Sequence, residues 1–318
     1  MVTRIFALLH IVGCTDYEFY DASAVTPGEV QDDIAEFATG VPSQNAEHWD
    51  LNEVGGVDVL FFGDTSGSMS VELVTLGEQV TVFVDELASY TTNWHLMAVT
   101  GPTGCGVNGV LTPETPDYAG LFASGITTTP GEDHVDEWGL YNVAAALELT
   151  DPEECNDGFL RDDARLHVIF ISDEDDNSPG WDDTKKDAYW EPYTESIISH
   201  KAQRNQVVFS GVIGPTPDGC DGAEPGWGYA EAIEHSAGEL LSICEDWYKQ
   251  INQLVEASVL FPIFHLQEAA MADTIEVSVN GVIRSEGWSY DAAQVAVVFS
   301  SNPPILGDLV HISYRPIE

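Results

Sequence analysis

The chain has 318 residues, with 10 Lys+Arg against 54 Asp+Glu, a formal net charge of −44, and 44% hydrophobic residues. Its length suits about two domains of ~150 residues with a buried core, and its apolar content excludes an acidic disordered tail and a polytopic membrane protein. So few basic side chains exclude a surface that neutralises nucleic-acid phosphates; the carboxylates read as a solvated surface suited to a salt-rich setting and attractive to divalent cations.

Met1 to Gly13 carries Arg4 and then a short apolar run, Ile5 to Val12, too short to span a bilayer. Ile11-Val12-Gly13-Cys14 resembles the lipobox of bacterial lipoproteins. That resemblance implies a signal peptide over residues 1–13 and lipidation of Cys14. With Thr15 rather than Asp next, it also implies sorting to the outer membrane or cell surface. The competing expectation is a buried first strand. Residues 14–54 contain Tyr17, Phe19 and Tyr20 without a sustained period and read as a tether.

From Val57 the pattern changes. VDVLFF (57–62) is an apolar run expected of a strand buried on both faces. Leu73, Leu76, Val80, Phe83, Val84 and Leu87 then mark an amphipathic helix. WHLMAVT (94–100) predicts a strand, and a loop with Cys105 follows. Leu140, Val143, Ala144 and Leu147 predict a helix, LHVIFIS (166–172) a strand, 187–203 a helix and QVVFSGVI (206–213) a strand. Helices over 228–237 and 246–258 flank a short strand, 239–243. Alternating apolar strands and helices predict an α/β fold, a doubly wound and mostly parallel sheet, over residues 55–262. From residue 268 alternation takes over, as in Ile275, Val277, Val279 and Val310, Ile312, Tyr314, so residues 263–318 are expected to be a small all-β module.

Four cysteines remain besides Cys14, an even number that in an exported chain implies two disulfides with three possible connectivities. Cys105–Cys155 and Cys220–Cys244 are favoured because each pair brackets one loop-rich segment. None stands in a CxxC pair, which argues against zinc.

The chemistry concentrates at Asp64-Thr65-Ser66-Gly67-Ser68, directly after the first buried strand, where an open α/β sheet forms its ligand crevice. A carboxylate and two hydroxyls are hard oxygen donors suited to Mg²⁺, Mn²⁺ or Ca²⁺, and Asp173 follows the strand 166–172 in the same way. The bland alternative is a capped turn. At these residues the sequence resembles the von Willebrand factor type A domain with its metal-ion-dependent adhesion site, whose D-x-S-x-S is matched by Asp64, Ser66 and Ser68 and whose later Asp is matched by Asp173. The resemblance covers about residues 55–260. The family has Thr or Ser five residues before the Gly that opens the middle helix; aligning Gly139 there puts His134 at that place, with Thr127, Thr128, Thr129, Asp133, Asp136 and Glu137 as alternatives.

The segment from about 155 to 247 further resembles secreted bacterial lipoproteins carrying this domain, and Gly287 to Asp291 resembles a C-terminal module some of them have. The resemblance implies one divalent cation holding an acidic group of a protein or other macromolecular partner. No nucleic acid is expected, and no membrane contact except through the lipid. An envelope assembly module with a stabilising metal is the alternative.

An enzyme is not expected. Gly is missing where G-x-S-x-G needs it around Ser66, and His95, His134, His167, His200, His235 and His265 show no HExxH spacing. SDEDDNSPGWDD (172–183) lacks the Gly and Glu of a calcium loop, having Ser178 and Thr184 there. It is expected as an acidic loop in which Asp175 or Asp176 tunes the metal from behind Asp173. Trp181, Trp190, Trp227, Trp247 and Trp288 are expected to pack against the disulfide-braced loops.

Overall fold

A computed structural model describes residues 44–51, 55–128, 138–179 and 189–317 of the chain. The α/β part comprises β2 (Gly56–Gly63), α1 (Ser70–Leu87), β3 (Trp94–Val99), β4 (Val107–Leu111), α2 (Tyr118–Ile126) and α3 (Gly139–Leu147). It continues with β5 (Ala164–Ser172), α4 (Glu191–Ser199), β6 (Val207–Ile213), α5 (Tyr229–Ser236), β7 (Leu240–Ser242) and α6 (Ile251–Val259). The strand order is β4-β3-β2-β5-β6-β7, parallel except for β4, which runs antiparallel to β3 at the edge. β4 and α2 fill the stretch around Cys105 that the sequence pattern leaves as a loop.

Two apolar layers follow from strand alternation. Val57, Val59 and Phe61 of β2 pack with α1, α2 and α6, Phe61 meeting the rings of Phe83 and Phe122 edge to face at 5.5 and 5.2 Å. Leu60 and Phe62 face α3, α4 and α5. All six periodic residues of α1, from Leu73 to Leu87, are buried as the period demands. Asp58 breaks the apolar run on the Leu60 face. It is wholly buried and accepts bonds from Arg161 (Nε 2.7 Å, backbone N–H 2.9 Å) and from Lys201 Nζ at 3.4 Å.

The β module holds β1 (Asn45–Asp50), β8 (Ile263–His265), β9 (Glu276–Val279), β10 (Val282–Arg284), β11 (Trp288–Asp291), β12 (Ala296–Phe299) and β13 (Leu309–Tyr314). Two antiparallel sheets, β1-β13-β9-β10 and β11-β12-β8, share a core that includes Trp49, Phe264, Phe299, Val277, Val310 and Tyr314. β1 corrects the tether expected over 14–54: residues 45–50 pair antiparallel with β13, Asn45 against Tyr314 through Asp50 against Leu309. Only Trp49 in NAEHWD is strongly apolar, and the strand exists because β13, some 260 residues on, supplies its ladder. The α/β part is thus inserted between the first and second strands of the β module. The expected signal peptide, Cys14 and the rest of residues 1–43 lie outside the described residues. Among the described residues no helix is long and apolar enough to cross a membrane.

Both favoured disulfides are made. Cys105–Cys155 has Cα atoms 5.6 Å apart and Cys220–Cys244 has them 6.3 Å apart.

Candidate metal centre

β2 lies between β3 and β5, the point at which the chain, having wound to one side of the sheet, returns to wind to the other. Strand ends splay at such a switch point. Asp64 continues β2 by one residue, its N–H donating to Ile171 O at 3.0 Å, so Asp64 and Asp173 emerge side by side at the carboxyl ends of adjacent strands.

Local bonding sets the Asp64 side chain. Its Oδ1 accepts the backbone N–H of Ser66 at 2.7 Å, closing the turn, and its Oδ2 accepts the Ser172 hydroxyl at 2.8 Å. Ser66 is half-buried and Ser68 exposed, with their hydroxyl oxygens 3.0 Å apart, and a turn of 3-10 helix, Gly67–Met69, leads directly into α1. Asp173 is 8% exposed, and its backbone carbonyl accepts the N–H of Glu224 at 2.8 Å. Its Oδ1 is buried without a hydrogen-bond partner. An unpartnered buried carboxylate oxygen costs several kcal/mol in typical cases unless something positive meets it. Burial pushes the Asp64 carboxyl above its ordinary value. The Ser66 N–H and the Ser172 hydroxyl oppose that shift, and repulsion from Asp173 adds to it.

These donors fit a hard divalent cation: two carboxylates, one with a buried oxygen to satisfy, and two adjacent hydroxyls. Asp64, Ser66, Ser68 and Asp173 would hold it. Among the described residues no group of three or more His, Cys, Asp or Glu stands together as a metal cluster, so hydroxyls must complete the set. His134 lies outside the described residues, as do Thr129, Asp133, Asp136 and Glu137. Thr127 and Thr128 are described and are turned elsewhere. Their hydroxyls donate to Ala123 O and Ser124 O of α2 at 2.8 and 2.7 Å.

The acidic loop does something its sequence does not announce. Asp176, 1% exposed, accepts the N–H of Leu140 at 3.0 Å, and Ser178 Oγ accepts that of Tyr141 at 2.9 Å. Together they cap α3 from 36 residues away in sequence. Ser178 Oγ also donates to Asp176 Oδ1 at 2.9 Å. Burial pushes the Asp176 carboxyl up to about 7, opposed by these bonds. Gly228, at φ +86°, leaves the room: a Cβ there would stand 2.8 Å from Asp176 Cβ. Asp176 thus ties the Asp173 loop to α3. Sequence reasoning missed this, and missed Ser172 as the hydroxyl on Asp64, because both partners are brought by the sheet.

The tryptophans divide. Trp247 is buried beside the Cys220–Cys244 region, with Nε1 donating to Glu72 at 2.8 Å, whereas Trp190 packs on His235 and Trp288 donates to Arg284 O. Trp181 lies outside the described residues.

No family model and no curated protein matches the sequence. Among solved structures, the chain is similar to a von Willebrand factor type A protein from Catenulispora acidiphila, with 12% identity and a TM-score of 0.40 over 87% of this chain and 66% of that one. It is also similar to proximal thread matrix protein 1 from the mussel byssus, with 14% identity and a TM-score of 0.37 over 67% of this chain and 47% of that one. A second structure of that protein, described as having a zinc-occupied metal-ion-dependent adhesion motif, gives 15% and 0.38 over the same shares. The chain therefore spans less than two thirds of the length of each of these structures.

Proposed function

We propose that this chain binds one divalent cation, Mg²⁺, Mn²⁺ or Ca²⁺, through Asp64, Ser66, Ser68 and Asp173, and through it holds an acidic group of a partner protein. The reading rests on the resemblance of these residues to the von Willebrand factor type A adhesion site. The observation that carries it is the buried, unpartnered Oδ1 of Asp173 beside Asp64 and the Ser66–Ser68 hydroxyl pair. The cation, when bound, supplies positive charge and a coordination position open to a partner's carboxylate. The chain's own residues do the rest: Ser172 and the Ser66 N–H orient Asp64, and the Glu224 N–H holds the backbone of Asp173. The role is binding, not catalysis.

The two disulfides support an oxidising, extracytoplasmic location, and with the lipobox-like start the reading is a surface lipoprotein anchored at Cys14. A net charge of −44 penalises an acidic partner unless salt screens it or the cation bridges the two.

Titration calorimetry of the disulfide-intact chain with each metal tests the reading, comparing wild type with Asp64→Ala and Asp173→Ala. One saturable site is expected in wild type and none in either variant, with a metal-dependent rise in thermal midpoint only in wild type. Weak binding at many sites, equal in all three proteins, would leave the acidic surface as the whole cation story and sink the proposal.

A further inference from the structure

A second site lies at the amino-terminal ends of the parallel strands, where the chain passes from α6 into β8. Arg165, near the start of β5, is 1% exposed on a strand buried along its whole length. Among the described residues it makes no ion pair. Its Nη1 donates to the carbonyl of Leu260, the residue that ends α6, and the Phe261 ring centre lies 4.0 Å from the guanidinium carbon. A helix carboxyl end and an aromatic face each supply only fractional negative charge. Nε is enclosed without a partner. Desolvation lowers the guanidinium to about 9, with no carboxylate acting against it, so Arg165 is still a cation at neutral pH. A buried cation is costly unless an anion meets it.

A cavity of about 20 Å³ borders this cation, room for one body of about the size of a water molecule. Arg165, Arg204, His235 and His265 are in its wall, and among the described residues no Asp or Glu lines it. Two of the chain's 10 Lys+Arg thus meet at one small void that none of its 54 Asp+Glu is found to line. The other basic groups are accounted for. Arg204 gives Nη1 and Nη2 to the Glu195 carboxylate at 2.8 Å each, and burial lowers both imidazoles, leaving them neutral at neutral pH. One uncompensated positive charge therefore remains, that of Arg165. Its Nη2 is the nitrogen left to face the cavity, being neither bonded nor fully enclosed among the described residues.

The geometry points to a halide site: one chloride ion sits in this cavity against Nη2 of Arg165. Charge and size select it. A single positive charge asks for a monovalent anion, and the space is too small for a carboxylate, a phosphate or a sulfate. Because Arg165 also holds the Leu260 carbonyl and stacks on Phe261, the ion fastens the segment by which α6 leads into the β module. The site is independent of the metal centre, since Asp64 and Asp173 lie at the opposite strand ends.

The test is the thermal midpoint of the full, disulfide-intact chain at fixed sodium concentration and ionic strength, with gluconate replaced stepwise by chloride or bromide. Gluconate is too large for the cavity, so general screening stays constant. Wild type and Asp64→Ala are both expected to show a saturable rise, on the order of 3 °C once chloride exceeds its dissociation constant tenfold. Arg165→Met removes the cation, keeps an unbranched side chain, and is expected to give a flat response. A midpoint indifferent to the anion, a rise that never saturates, or an equal rise in Arg165→Met would overturn the site. Where Arg165→Met does not fold, wild-type crystals grown in bromide decide. An anomalous peak within hydrogen-bonding reach of the Arg165 guanidinium supports the proposal, and a water there in place of bromide overturns it.

Discussion

Asp58 puts a carboxylate on a wholly buried face of β2, where Arg161 and Lys201 meet it. Burial pushes its carboxyl up and the Lys201 amine down, each against the attraction of the other, so desolvation outweighs pairing on both sides. Asp58→Ala strands Arg161 and Lys201, and is expected to cost about 3–5 kcal/mol in urea unfolding. Replacing all three with apolar residues of similar volume should recover most of that loss. Asp176 makes a prediction of opposite character. With its carboxyl raised from 3.8 to about 7, the folded chain keeps a proton between those values that the unfolded chain has released. Stability without metal should therefore fall as pH rises from about 4 to about 7, by on the order of 4 kcal/mol if no other group intervenes. Asp176→Asn keeps the acceptor for Leu140 and removes the proton, so the slope of unfolding free energy over that window should flatten. Unchanged slope in the variant would assign the titration to another group. His167 works the other way: buried between the Ser258 and Ser210 hydroxyls, at 2.7 and 2.8 Å, it is held well below its usual value. It adds a loss of stability below about pH 6.5.

Among the elements, α3 and the Cys105–Cys155 crosslink each hang on a few side chains distant in sequence. α3 begins without a cap of its own from Trp138, and Asp176 and Ser178 supply it from the loop after β5. Ser178→Ala leaves the Tyr141 N–H unbonded and should cost about 1–2 kcal/mol, read as faster amide exchange in the first turn of α3. The Cys105–Cys155 bridge spans 50 residues and ties the segment before β4 to the loop before β5. On the chain-entropy account a loop of that size contributes about 4 kcal/mol, against about 3.4 for the sequence separation of 24 that joins Cys220 to Cys244. Replacing each pair by Ala should lower the urea midpoint in that order. An equal or reversed order would show that native packing, not loop length, sets the contribution.

For the whole molecule, charge is the dominant fact. Among the described residues Arg161, Arg165, Lys201 and Arg204 all sit at the amino-terminal end of the parallel strands, and Arg165 is wholly buried against the Phe261 ring at 4.0 Å. The carboxyl-terminal end carries Asp64 and Asp173 with their acidic loops. Self-repulsion at −44 opposes the compact state, so raising NaCl from about 0.05 to 0.5 M should raise the thermal midpoint, where an equal osmolarity of a neutral solute should not match it. A midpoint insensitive to salt would mean that the carboxylates are spaced widely enough not to interact.

Residues 57–62, 166–172 and 206–213 announce a parallel sheet because a strand buried on both faces must be apolar throughout, and that requirement is local. Asp64 and Asp173 are legible for the same reason, since each directly follows such a run. β4 and α2 escaped because their segment is half-exposed and shows no clean period. β1 escaped because a short polar strand is made by its distant partner. By itself, then, the sequence determined the α/β class, the strand ends that carry oxygen donors and the acidic surface, all properties of neighbouring residues. Tertiary structure decided that Ser172 orients Asp64, that Asp176 caps α3, that Asp58 meets Arg161 and Lys201, and that β1 closes the β module around an inserted domain. Each of those rests on partners from 36 to 269 residues apart, whose meeting depends on sheet order and register and on no local pattern.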